Sequence, residues 1–149
     1  MIGTLAPFRT IDDDEVARVS RAIEHGPLSG FIAAREDGGW HVSMLERIWM
    51  AKLGVKHAVS FNSATSALLA AAVAVEIRGS DFLVSPLTMS ATAAAPQFAG
   101  GNPVIIDIEP ESFGIDAGWV IVYLGRKRRG LKTKAIFATN LFGHTCKLQ

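Results

Sequence analysis

Phe61-Asn62-Ser63-Ala64-Thr65-Ser66-Ala67-Leu68-Leu69 is the stretch on which the reading of this chain turns. A short apolar run, His57 to Phe61, leads into it, and a long Ala/Leu/Val segment follows. The pattern predicts a strand, a tight turn of small residues, and a helix with Ser and Thr in its first turn. The first N–H groups of a helix have no intrahelical acceptor and carry partial positive charge. Small hydroxyl residues there suit a phosphate. The plainer reading is a helix cap by Asn62 or Ser63, which needs no ligand. Spacing alone favours the cap.

Working outward, strands and helices alternate. Downstream, a helix is expected over Thr65 to Ile77, and Gly79-Ser80-Asp81 turns into a strand from Phe82 to Ser85. Pro86 to Met89 is a loop, and a helix runs from about Ser90 to Ala99. Gly100-Gly101-Asn102-Pro103 is a turn, Val104 to Ile108 a strand, and Lys134 to Leu141 the next strand, ending at Phe142-Gly143-His144. Trp119 to Leu124 reads equally as strand or helix. Arg126-Lys127-Arg128-Arg129 reads as a solvated loop or helix end, with no aromatic platform beside it to suggest nucleic acid.

Upstream, Met1 to Arg9 reads as an extended arm. Asp12 and Glu15 stand at capping-box spacing, with Val16, Val19, Ala22 and Ile23 at helical spacing behind them and a stop at Gly26-Pro27. Ser43 and Glu46 suggest a second capping box, ahead of a stripe of Val42, Leu45, Ile48, Trp49 and Leu53 that ends at Gly54. Gly26 to Gly30 and Arg35 to Gly39 read as loops. Alternation of this kind is the signature of a layered α/β sheet.

Composition agrees. The chain has 149 residues, 49% hydrophobic and 19% charged, with a mean hydropathy of +0.27. Strands buried on both faces beneath helices fit that balance better than a half-solvated sheet. A net charge of +1 calls for no nucleic acid or acidic partner. Ala58 to Val75 and Phe82 to Ile106 are long enough to span a bilayer, but clustered hydroxyls interrupt the first and prolines and glycines the second. Met1 to Glu15 lacks a basic segment followed by an apolar core, so no secretory signal and no membrane partner are expected. One cysteine, Cys146, suits a reducing compartment, and the expected location is cytoplasmic.

Little else on the chain carries chemistry. The histidines at 25, 41, 57 and 144 do not share metal-ligand spacing, so no metal site is expected. His144 and Cys146 form a weak nucleophilic pairing with no orienting third group. Ser63 and Ser66 lack the glycines of a nucleophile elbow, and neither a dinucleotide fingerprint nor a phosphate loop with its lysine is present.

Four ordered blocks nevertheless resemble one family. Leu53 to Leu68, Asp81 to Thr92, Gly101 to Ile108, and Thr133 to Ile136 with Phe142-Gly143 are similar to the DegT/DnrJ/StrS family of sugar aminotransferases. The resemblance implies the α/β class, with the three-layer α/β/α sheet of the large domain of pyridoxal 5′-phosphate (PLP)-dependent transferases of the aspartate aminotransferase type, here incomplete. It divides the chain into an arm and helix over residues 1–26 and the N-terminal portion of that domain over residues 27–149. It implies PLP as cofactor, a nucleotide-linked keto-sugar as substrate, glutamate as the usual amino donor, and a homodimer. Ser63, Ala64 and Thr65 would hold the cofactor phosphate, Ala64 through its N–H and Thr65 also through its hydroxyl. Met89 occupies the place where many members stack an aromatic residue on the pyridine ring, and a thioether also packs there. Asp107 is expected to end its strand in a structural role.

The departures from the family are equally specific. Its Schiff-base lysine stands in a serine- and glycine-marked motif that this sequence does not contain, and the acid that pairs with the pyridine nitrogen lies further along than Gln149. None of Lys52, Lys56, Lys127, Lys132, Lys134 and Lys147 has a matching context. No catalytic residue is therefore assigned, and the chain alone is expected to be inactive. A non-catalytic phosphate- or PLP-binding module that works with another chain is the alternative, and an unrelated nucleotide-binding α/β domain a third.

Overall fold

Asp12 opens the first helix, α1 (Asp13–Glu24), through the capping box its spacing predicts. Its carboxylate accepts the Asp14 N–H at 2.9 Å, and Glu15 reaches back to the Asp12 N–H at 3.0 Å. The Asp14 N–H above all holds the Asp12 carboxyl below the ordinary aspartate range. The computed structural model of the protein describes residues 10–26, 28, 39–126 and 132–147, and these fall into two compact units divided after Ser60. Most of the expected loops at 26–30 and 35–39, and of the basic run at 126–129, lies outside the described residues.

The second helix, α2 (Trp40–Leu53), corrects one expectation. Gly39, not Ser43, is its N-cap. The Ser43 N–H already bonds Gly39 O at 3.0 Å, so Ser43 sits buried inside the helix and no capping box with Glu46 forms. Glu46 instead accepts from the Ser60 N–H at 2.8 Å and its hydroxyl at 2.9 Å. Gly54 ends the helix as expected, at φ +66° in the left-handed region.

The second unit holds α3 (Ala64–Ala74), β1 (Asp81–Val84), α4 (Ser90–Phe98), β2 (Asn102–Ile105), α5 (Ala117–Gly125) and β3 (Thr133–Phe137). The strands form one parallel sheet in the order β2-β1-β3. Pro103, opposite Phe82, lies on the edge strand β2, where a missing N–H is tolerated. All four β1 side chains are buried. Phe82 and Val84 pack with Ala72 and Ile77 on the α3/α4 side, whereas Leu83 packs with Ile106, Ile115, Val120 and Cys146 on the α5 side. Helices therefore cover both faces, as a three-layer α/β/α arrangement requires.

Three further expectations change. No strand forms over His57 to Phe61. A strand needs a ladder partner, none of the described strands pairs with this run, and Ser60 turns its N–H to a side chain instead. The strand expected over Val104 to Ile108 is Asn102–Ile105, because Asp107 leaves the ladder to cap a turn: its carboxylate accepts the Ile108 N–H at 2.8 Å and its carbonyl the Asp116 N–H at 2.9 Å. The strand expected to reach Leu141 stops at Phe137, followed by a single 3-10 turn, Leu141–Gly143. Trp119 to Leu124 is helical, started by Asp116, whose side chain accepts the Trp119 N–H at 3.0 Å.

A part-buried polar pair joins the layers. The Tyr123 hydroxyl donates to Asp81 Oδ2 at 3.0 Å, and burial first, then this carboxylate, pushes the phenol above its ordinary value. A raised phenol favours the fold while it stays neutral. Its contribution is constant below about pH 10 and falls as pH rises through the folded-state value. Tyr123→Phe is expected to cost about 2 kcal/mol at pH 7 by leaving Asp81 without this donor. Urea midpoints from pH 7 to 11 should also fall less steeply for the variant than for the parent. Parallel midpoint curves would refute this account of the pair.

Candidate functional site

The carboxyl ends of the three strands define one edge of the sheet. β1 leaves it through residues 85–89 into α4, so the head of α4 stands there. α3 enters β1 through the short turn 75–80, which puts its last turn at the opposite, amino edge and its head at the carboxyl edge. The salt bridge between Glu76, just past α3, and Lys134, near the start of β3, fixes this sense at 3.3 Å. Two helix heads thus share the edge where open α/β sheets bind ligands.

At the head of α3 the cap is Ser63. Its Oγ accepts the Ser66 N–H at 3.1 Å, and Ser66 Oγ donates to Asn62 Oδ1 at 3.0 Å. Ser66 has then used its one proton, so in the 2.9 Å contact between the two hydroxyls Ser63 is the donor. Ser63 is thereby committed to the cap. The N–H groups of Ala64 and Thr65 precede the first intrahelical acceptor, and both residues are exposed. Two N–H groups and a hydroxyl at a helix head are the donor set a phosphate monoester takes. Of the residues expected to hold the cofactor phosphate, Ala64 and Thr65 offer free donors, and Ser63 supports them.

Met89 is the N-cap residue of α4. Its carbonyl accepts the Thr92 N–H at 2.9 Å, and the residue is 76% exposed. Behind it stands a group that sequence reading did not single out. Thr88 Oγ1 lies 2.9 Å from Thr92 Oγ1 and 3.0 Å from Thr139 Oγ1, joining the loop after β1 to the segment after β3. Ser85, buried, accepts the Leu87 N–H at 3.2 Å. No local signal could have found the Thr88–Thr139 contact, which depends on strand order.

The other candidates are engaged elsewhere. Lys134 is paired with Glu76 at the amino edge, and Lys132, whose carbonyl accepts the Asp81 N–H at 2.9 Å, precedes β3 at the same edge. Lys147 pairs with Glu111, which raises its ammonium above the ordinary range. In the same loop, Ser112 lowers the Glu109 carboxyl by donating its hydroxyl. Cys146 is buried, its Sγ 3.8 Å from Ile115 O and wedged against Gly114, where a Cβ would approach the sulfur to 2.6 Å. His144 is exposed. Packing therefore explains Cys146, and no nucleophilic pair forms. Among the described residues no group of three or more His, Cys, Asp or Glu is placed to hold a metal ion. No helix among them is long and apolar enough to cross a membrane.

Comparison with known proteins places this geometry. The sequence matches the DegT/DnrJ/EryC1/StrS aminotransferase family over residues 10–149. The chain belongs to that family. It is similar to GDP-perosamine synthase of Caulobacter vibrioides, 32% identical over 111 residues, covering 74% of this chain and 29% of that protein. It is likewise similar to the spore coat polysaccharide biosynthesis protein SpsC of Bacillus subtilis, 32% identical over 139 residues, covering 93% of this chain and 32% of that one. The chain thus spans about a third of the length of the curated relatives it matches. In structure it resembles the sugar aminotransferase Spr1654 of Streptococcus pneumoniae in its PMP form, with a TM-score of 0.77, 25% identity, and coverage of 92% of this chain and 32% of that one. The fold is that of the PLP-dependent aminotransferases, and the family, with its PMP-form member, indicates pyridoxal 5′-phosphate as the cofactor.

The geometry separates the cap from the free donors. Ser63→Ala is expected to lower the unfolding free energy by about 1 kcal/mol through loss of the cap. Thr65→Val, which touches no cap bond, should stay within about 0.5 kcal/mol of the parent. Urea denaturation of both variants checks the split; equal losses would mean that Thr65 also holds the helix.

Proposed function

We propose that this chain supplies the phosphate- and ring-binding portion of a PLP-dependent aminotransferase acting on nucleotide-linked keto-sugars in amino-sugar biosynthesis. Glutamate is the proposed amino donor, a cytoplasmic homodimer the proposed form. The observation that carries the reading is the pairing of two helix heads on one sheet edge. Ala64 and Thr65 present free donors at the first, and Met89 an exposed thioether at the second. Family membership and the sugar-active relatives support the substrate class.

When bound, the cofactor supplies the electron sink for transamination. This chain's residues hold its phosphate and flank its ring; the Ala64 and Thr65 N–H groups bind the dianion with help from the positive end of α3. Among the described lysines of the second unit, Lys132 and Lys134 lie at the opposite sheet edge and Lys147 is paired with Glu111, so none of these three is proposed to move protons. We therefore propose that the chain alone binds the cofactor but does not transaminate.

Two measurements test this. The chain should bind PLP at least about tenfold more tightly than pyridoxal, which lacks the phosphate, and Thr65→Val should remove most of that preference. Borohydride added to the PLP-loaded chain should leave no stoichiometric adduct on any one lysine. A single modified lysine in the peptide map, or glutamate-dependent transamination by this chain, would overturn the reading.

A further inference from the structure

We propose that Thr88 is the positioning residue of the ring-facing loop, fixing the segment that carries Met89 to the end of β3 through a chain of three threonine hydroxyls. The proposal rests on the reading of the site given above, in which Met89 packs against the cofactor ring. Met89 is 76% exposed at the head of α4, and its thioether chain has three rotatable bonds. A flexible side chain meets a flat ring reproducibly only where its backbone is fixed.

The ties on that backbone are of two kinds. Ser85 Oγ with the Leu87 N–H, and Met89 O with the Thr92 N–H, are local and set the shape of the loop. The Thr88–Thr139 contact spans 51 residues and ties the loop to a different strand. It crosses from β1 to β3, where the strand order reverses and ligands of open α/β sheets bind. Thr88 has one hydroxyl proton and two lone pairs, so it can bond both neighbours at once, donating to at most one of them. Thr92 anchors the chain in the first turn of α4, and β-branching limits each threonine to few side-chain rotamers. Position, partners and stiffness make Thr88 a spacer between the sheet and the ring-facing residue. Its proposed role is exercised through Met89 and not by contact with the reacting groups.

The test uses the full chain with methionine labelled at its 13C-methyl group, the Met89 signal being assigned by Met89→Leu. In the parent, adding PLP should move the Met89 methyl signal through the ring current. Thr88→Val and Thr139→Val, which cut the chain from either side, should each weaken PLP binding about fivefold and shrink that movement. Affinity for inorganic phosphate should stay unchanged, and Thr88→Ser should restore both the PLP affinity and the signal. Parental behaviour in Thr88→Val, equal losses for phosphate and PLP, or no rescue by Thr88→Ser would overturn the positioning role and leave the phosphate cradle standing. If the parent chain binds neither PLP nor phosphate, the reading of the site falls, and this proposal with it.

Discussion

The constraint on which the structure depends is the complete burial of β1. Four consecutive residues, Asp81 to Val84, are closed off on both faces and both edges. Side chains alternate along a strand, so Phe82 and Val84 need one cover and Leu83 another. Parallel crossovers are right-handed. The step from β1 to β2 and the step back past β1 to β3 run in opposite directions, and their helices must therefore lie on opposite faces. The two core clusters show that arrangement, α4 on one side and α5 on the other. The same reversal opens the carboxyl edge between β1 and β3. The site follows from the burial of one strand.

Burying Asp81 with the strand has a cost that Tyr123 offsets, since a carboxylate taken out of water needs a donor. The donor comes from α5, a helix with no charged residue, so this polar contact with the sheet also helps to set how that helix docks. Small residues answer the same close packing. A Cβ on Gly101 would meet Phe82 and Ile77 at 3.0 and 3.1 Å, and one on Gly114 would meet the Cys146 sulfur. Cys146 therefore leaves no room for a side chain at position 114.

What was legible in the sequence was local. The Asp12–Glu15 box, the Gly54 stop and the Ser63 cap each depend on residues within one turn, and each formed. The alternation of strand and helix was legible for the same reason. Ser43 misled because its spacing to Glu46 is a valid cap signal, yet Trp40 to Val42 extend the helix back to Gly39. His57 to Phe61 has the composition of a strand, but a strand exists only with a partner, and partners are not encoded locally. Trp119 to Leu124 is apolar throughout and so has no period to read. At the site, Thr65 and Met89 came from resemblance. The Thr88–Thr139 contact was invisible because it depends on β3 pairing beside β1.

The proposed cradle divides labour among neighbouring residues. Ser63, Ser66 and Asn62 spend their hydrogen bonds on one another, which stiffens the turn and leaves Ala64 and Thr65 facing outward. Such a cradle binds a phosphate equally in the ground state and the transition state, and uniform binding does not accelerate chemistry. Acceleration needs groups whose interactions strengthen as charge moves, and for PLP chemistry those are the proton-transferring lysine and the acid on the ring nitrogen. Phosphate affinity needs only consecutive residues of one turn, so a short stretch can hold it whole. The catalytic groups must converge on the ring from distant parts of a fold. Cofactor binding and transamination are thus separable in principle.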